Sequence, residues 1–103
     1  MQKIIDETEK AAYVYLKAFG FEENEIVPVV EKGLSDLENT LNKLRTLLAS
    51  PEKENREKMD DILHALKGLL FQMGNHELAE NIEALRGCED RQKLYNSLNN
   101  LLF

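Results

Sequence analysis

Three features of the sequence predict an all-α fold: an antiparallel up-and-down four-helix bundle with an additional N-terminal helix packed across one end. The first is a seam. Val30, Leu34, Leu37, Leu41, Leu44 and Leu48 recur at alternating steps of four and three, the spacing of a helix side that faces another helix. The second is punctuation. Gly20, Ser50-Pro51-Glu52, Gly74-Asn75 and Arg86-Gly87 each carry helix-stop or helix-start chemistry, and the short connections between them imply antiparallel neighbours. The third is composition, which is rich in Leu, Glu, Lys and Asn, with two prolines and no tryptophan. A chain of 103 residues has room for one modest core, so residues 1–103 are expected to form a single domain.

The elements follow in order. Residues 3 to about 19 read as a first helix, with Ile4, Ile5, Thr8, Ala11, Ala12, Tyr15, Leu16 and Phe19 at helical spacing and Gly20 as a left-handed cap. Asn24 is the expected N-cap of the second helix, with Glu23 and Glu25 near its positive end and Pro28 in its first turn. Gly33 lies inside that helix, and close packing against the first helix is the expected reason for it. Ser50-Pro51-Glu52 should stop the second helix and start a third, running from Pro51 to about Met73. Gly74-Asn75 should close the third helix and cap a fourth, with Leu78, Ile82 and Leu85 inward. Asp90 should start a fifth, with Leu94, Leu98, Leu101 and Leu102 inward.

Charge and cysteine usage narrow the function classes. A net charge of −6 leaves no basic patch to release counterions from nucleic acid or to hold an anionic membrane. No apolar run approaches the ~20 residues of a spanning helix. Acidic residues Asp6, Glu7 and Glu9 interrupt any signal-peptide pattern. The single Cys88 has no internal disulfide partner, which suits a reducing cytoplasm, and without a neighbouring base it is no candidate nucleophile. His76-Glu77 begins like a zinc-protease motif, but position 80 is Glu rather than the second histidine, so no metal site is expected.

The third helix carries the chemistry. Met59, Ile62, Leu66, Leu69, Leu70 and Met73 form an apolar stripe that should face the core. The opposite face holds Asp60, His64, Lys67, Gly68 and Phe71. A mid-helix glycine costs roughly 1 kcal/mol relative to Ala, so Gly68 calls for a reason. Gly68 stands one turn from His64, and lacking a Cβ it leaves the imidazole open to a bulky partner. Lys67, three residues from His64, can reach the ring's outer edge and offset negative charge there. An exposed imidazole is largely neutral at cellular pH and keeps a nucleophilic lone pair. Phe71 lies two turns beyond His64 on the same face, where it either folds against the neighbouring helix or offers an apolar docking surface.

His64-x-x-Lys67-Gly68 followed by Met73-Gly74 resembles the histidine-containing phosphotransfer family. The resemblance covers the His64 helix, the next helix and the all-helical plan; the N-terminal third matches in pattern only. It implies a phosphoacceptor at His64, charge compensation by Lys67, and an approach for a partner beside Gly68. Receiver domains, a sensor histidine kinase, or both are the implied partners, with Phe71, Asp60 and Arg86 as docking residues. Two departures stand out. Members often carry a small residue after the glycine, where this chain has Leu69. Many place a glutamine late in the following helix, where this chain has Arg86, which either binds phosphate or serves as a C-terminal helix cation. The expected role is a monomeric cytoplasmic phosphoryl carrier in a multistep phosphorelay, not an enzyme, and without a cofactor of its own. A helical adaptor with an incidental histidine, and the phosphoacceptor domain of a chemotaxis-type histidine kinase, are the competing readings.

Overall fold

A computed structural model of the chain describes residues 1–49 and 55–103. Five α-helices account for nearly all of these residues: α1 (Gln2–Ala18), α2 (Glu23–Ala49), α3 (Asn55–Gln72), α4 (His76–Arg86) and α5 (Arg91–Leu102), with no strand among the described residues. Each helix packs against the next, except that α1 also reaches the α3–α4 turn. None of the described helices is long and apolar enough to cross a membrane. The expected restart at Ser50-Pro51-Glu52 lies outside the described residues.

The heptad seam of α2 is the spine of the core. Val30, Leu37, Leu41, Leu44 and Leu48 are buried and Leu34 is half-buried; from Leu34 on, the seam packs with Met59, Leu63, Leu66 and Leu70 of α3. Leu78, Ala79 and Ile82 of α4 and Leu94, Leu98 and Leu102 of α5 complete the main cluster. A smaller cluster of Ala12, Ile26, Val30 and Met73 joins α1, the start of α2 and the end of α3. The apolar stripe expected on α3 is rotated slightly. Leu63, absent from that stripe, is buried, whereas Ile62 and Leu69 are only half-buried. The residue after Gly68 therefore serves packing, as the helical wheel suggested.

Two helix ends share one device. Gly20 (φ 89°) and Gly74 (φ 81°) adopt the left-handed conformation that only glycine takes without cost. At the first, Gly20 N–H donates to Lys17 and Phe21 N–H to Leu16; at the second, Gly74 N–H donates to Phe71 and Asn75 N–H to Leu70. These paired bonds satisfy the last carbonyls of α1 and α3 as Schellman motifs. Asp90 caps α5 as expected, its carboxylate accepting from Lys93 N–H at 3.1 Å.

Four details differ from the sequence expectation. Helix α2 begins before Asn24: the Glu22 carbonyl accepts the first helical bonds, and the Glu25 carboxylate reaches back to Glu22 N–H at 3.2 Å. That is half of a capping box, and it moves the start upstream. Pro28 consequently sits in the second turn, tolerated because it and Asn24, whose carbonyl it frees, are both exposed to water. Asn75 occupies the N-cap position of α4, but its side chain makes no capping bond and instead donates to the buried Thr8 Oγ1 at 3.0 Å. Gly33 faces Met73 rather than α1: a Cβ there would stand 2.8 Å from the methionine sulfur.

The glycines are thus not equivalent, and unfolding experiments should separate them. Gly74→Ala is expected to cost about 2 kcal/mol or more, because a left-handed residue with a Cβ is strained and that Cβ would lie 2.7 Å from Tyr15 Cγ and 3.2 Å from the Ala11 carbonyl. Gly68→Ala should instead stabilise by up to about 1 kcal/mol, since a Cβ there meets nothing within 4 Å. Equal urea midpoints for the two variants would contradict this account.

Candidate functional site

The turn at Gly74 sends α4 back along α3, and the exposed faces of the two helices meet side chain by side chain. Nearest the turn, the Phe71 ring stacks on His76 with centroids 4.5 Å apart. Further along, Lys67 Nζ meets Glu83 Oε2 at 3.1 Å. Beyond that, Arg86 crosses from the last turn of α4 to His64 and Asp60. Its Nε and Nη2 donate to the two Asp60 carboxylate oxygens at 3.0 and 3.2 Å, a bidentate pair. Its Nη1 donates to Glu83 Oε2 at 3.1 Å and to His64 Nδ1 at 3.2 Å. At the far end, Arg56 Nη2 donates to the Cys88 carbonyl at 2.6 Å.

His64 itself is exposed, and Gly68 leaves its C-terminal flank open. A guanidinium has no acceptor, so the His64 Nδ1 facing Arg86 must be the acceptor, and in the neutral ring the proton then sits on Nε2. The imidazole is consequently oriented by a charged donor from the neighbouring helix.

The four charged groups around the ring balance. Lys67 and Arg86 are matched by Asp60 and Glu83. The Arg86 hydrogen bond, aided by the charges of Arg86, His64 and Arg56, holds the Asp60 carboxyl below its ordinary range, against an opposing push from burial. Glu83 is lowered first by its hydrogen bond to Lys67 and then by Arg86. Arg86 is raised, chiefly by Asp60, and stays charged throughout.

The sequence picked out His64, Lys67, Gly68, Phe71, Asp60 and Arg86, and all six lie on this one face. Asp60, His64 and Arg86 are in direct contact. Lys67 is turned to Glu83. Phe71 stacks on His76 of the neighbouring helix while remaining 51% exposed. Sequence reasoning missed Glu83, which joins the two cations. The signal was present as an i, i+3 pair with Arg86 on a helix whose other face is apolar. It also missed the aromatic setting of His76, which meets Phe71 on one side and the edge of Tyr15 on the other at 5.1 Å. No metal-like cluster surrounds His76 among the described residues.

The electrostatics are open to a direct check. In the wild-type chain the carboxyl carbons of Asp60 and Glu83 should titrate below the ordinary values of about 3.9 and 4.3. Both groups ionise more readily in the folded than in the unfolded chain. Their contribution to stability is therefore complete above about pH 5 and is lost as the pH falls through the folded midpoints. In Arg86→Ala, the NMR midpoint of Asp60 should return to the ordinary range while Glu83, still held by Lys67, moves only partway. An Asp60 midpoint that ignores the substitution would dismiss Arg86 as its principal partner.

Comparison with protein-family models, with curated proteins and with solved structures returns no match to this chain.

Proposed function

We propose that the chain is a histidine phosphotransfer module, accepting a phosphoryl group on His64 from a receiver-domain aspartate and passing it to another receiver. The observation that carries this reading is the combination of an exposed, oriented imidazole, an open flank at Gly68, and two cations, Lys67 a turn along α3 and Arg86 across from α4. The finer architecture belongs to the same reading: α2 to α5 as an antiparallel up-and-down four-helix bundle, with α1 packed across one end. The pairing of successive helices and the shared core of α2, α3, α4 and α5 support it. The role proposed is that of a monomeric cytoplasmic carrier.

The chemistry follows from the residues. A ring nitrogen of His64 uses its lone pair to form a bond to phosphorus, and the phosphorus–oxygen bond to the donor aspartate breaks, its electron pair leaving with the carboxylate. With Nδ1 engaged by Arg86, Nε2 is the nitrogen that faces a donor. It is nucleophilic when the ring proton resides on Nδ1, so Arg86 releases Nδ1 as the group is loaded. The phosphohistidine carries roughly −2 charge, which Lys67, one turn along α3, and Arg86, held at the ring from α4, offset by turning toward it. In this scheme the Mg²⁺-dependent part of phosphoryl transfer belongs to the receiver. The exposed side chain of Phe71, two turns from His64, provides apolar contact for the partner.

Incubation with a phosphorylated receiver domain should put acid-labile, base-stable label on the wild-type chain and none on His64→Gln. The substitution is at an exposed position, so stability should change by no more than about 0.5 kcal/mol. Label on the His64→Gln chain would end this assignment, and no label on the wild type would favour a helical adaptor. Gly68→Gln gives a finer test. It should fold normally and still be labelled by the small donor phosphoramidate, yet lose most transfer from a receiver, because the new side chain fills the space through which a protein partner approaches. Undiminished receiver transfer would show that the open flank is not used.

A further inference from the structure

Glu83 is the one carboxylate of the site that holds both cations. Its Oε2 lies 3.1 Å from Lys67 Nζ and 3.1 Å from Arg86 Nη1. Asp60 engages Arg86 alone. In the resting arrangement the two positive charges beside His64 are therefore already neutralised, and Arg86 is additionally tied to Nδ1. A dianionic group arriving on His64 would add its charge to those of Asp60 and Glu83 unless the cations turned toward it. The geometry allows such a turn. Lys67 is on the same helix as His64, one turn on, and Arg86 Nη1 already lies 3.2 Å from the ring. The Glu83 side chain is 48% exposed, so releasing the cations leaves its carboxylate to water rather than buried without a partner.

We propose that Glu83 is a positioning residue that latches Lys67 and Arg86 in the unloaded state, and that loading of His64 transfers both cations from Glu83 to the phosphoryl group. This inference rests on the phosphotransfer reading above. It makes Glu83 a competitor of the phosphoryl group for the same two cations. The strength of that competition sets how far phosphohistidine accumulates and how long it lasts. Electrons and atoms balance as in any such transfer. With phosphoramidate as donor, the His64 nitrogen forms the bond to phosphorus. The phosphorus–nitrogen bond to the leaving amine breaks with its electron pair, the amine departs protonated as ammonia, and the imidazole proton passes to water.

The test compares the wild type, Glu83→Gln and Glu83→Asp, each loaded with phosphoramidate and followed by ³¹P NMR, then freed of donor to time hydrolysis. Removing the charge should raise the loaded fraction and lengthen the phosphohistidine half-life by roughly two- to fivefold, the scale of an exposed ion pair. Glu83→Asp, which keeps the carboxylate, should return both quantities toward wild type. The difference between wild type and Glu83→Gln should shrink in about 0.5 M salt, which screens exposed charges and would not move a purely structural effect. Loading in Glu83→Gln at or below the wild-type level would overturn the latch, showing that Glu83 instead holds the cations where the phosphoryl group needs them. A wild-type chain that takes up no phosphoryl group at all would remove the phosphotransfer reading and this inference with it. A wild type that loads while Glu83→Gln gains nothing would remove this inference alone.

Discussion

Everything on the functional face depends on the register between α3 and α4, and that register is set at Gly74. The left-handed glycine reverses the chain within a few residues, and its missing Cβ lets Tyr15 and Ala11 of α1 close over the turn. The helices rise about 1.5 Å per residue, so contacts farther back along α3 are met farther forward along α4. Phe71 meets His76, Lys67 meets Glu83, and His64 and Asp60 meet Arg86 in strict succession. A slip of one residue would turn Arg86 about 100° around its helix and separate it from the imidazole. The second strap, from Asn75 to the buried Thr8, ties the same turn to α1. The N-terminal helix thereby helps fix the site, which it also meets through Tyr15 against His76.

The charges in this register exert little pull on the fold and much control over the site. Exposed ion pairs contribute little to stability, because water solvates the separated charges almost as well. What the Asp60–Arg86–Glu83–Lys67 network does supply is orientation. Arg86 offers a planar fork, with two donors spent on Asp60, and this leaves Nη1 aimed at His64 Nδ1. A lysine in its place would present one mobile point charge and no such fork. Arginine at this position, unlike an uncharged glutamine, therefore both holds the ring and adds a charge.

Much of the fold was legible because it rests on local rules. The α2 seam, the left-handed glycines, the Asp90 cap and the inward leucines of α4 and α5 all follow from periodicity and capping chemistry. What could not be read was set by distant partners. Gly33 has its reason in Met73, forty residues on, and Asn75 gives up its capping bond for Thr8. The start of α2 was misplaced because Glu25 serves as a capping-box residue for Glu22, an option that competed with the intrinsically better cap, Asn24. In the site, the residues of α3 were legible from a single helical wheel. Glu83 was not, because its importance comes only from lying opposite Lys67 across a helix pair.

Gly68 joins these two kinds of constraint. A helix exposed at that point would be better served locally by almost any other residue, and nothing nearby requires the space. Gly74 and Gly33, by contrast, each have a neighbour that a Cβ would strike. A glycine kept against local propensity, without a packing reason inside the chain, points to a reason outside it. The exposed face supports the same conclusion. His64, Gly68 and Phe71 all face water, and the groups beside the imidazole are already paired with one another. A surface of this kind presents an oriented imidazole without surrounding it. In the proposed phosphotransfer it therefore works only when a partner's concave site closes over it. The cost of Gly68 to the helix is then the condition for that approach.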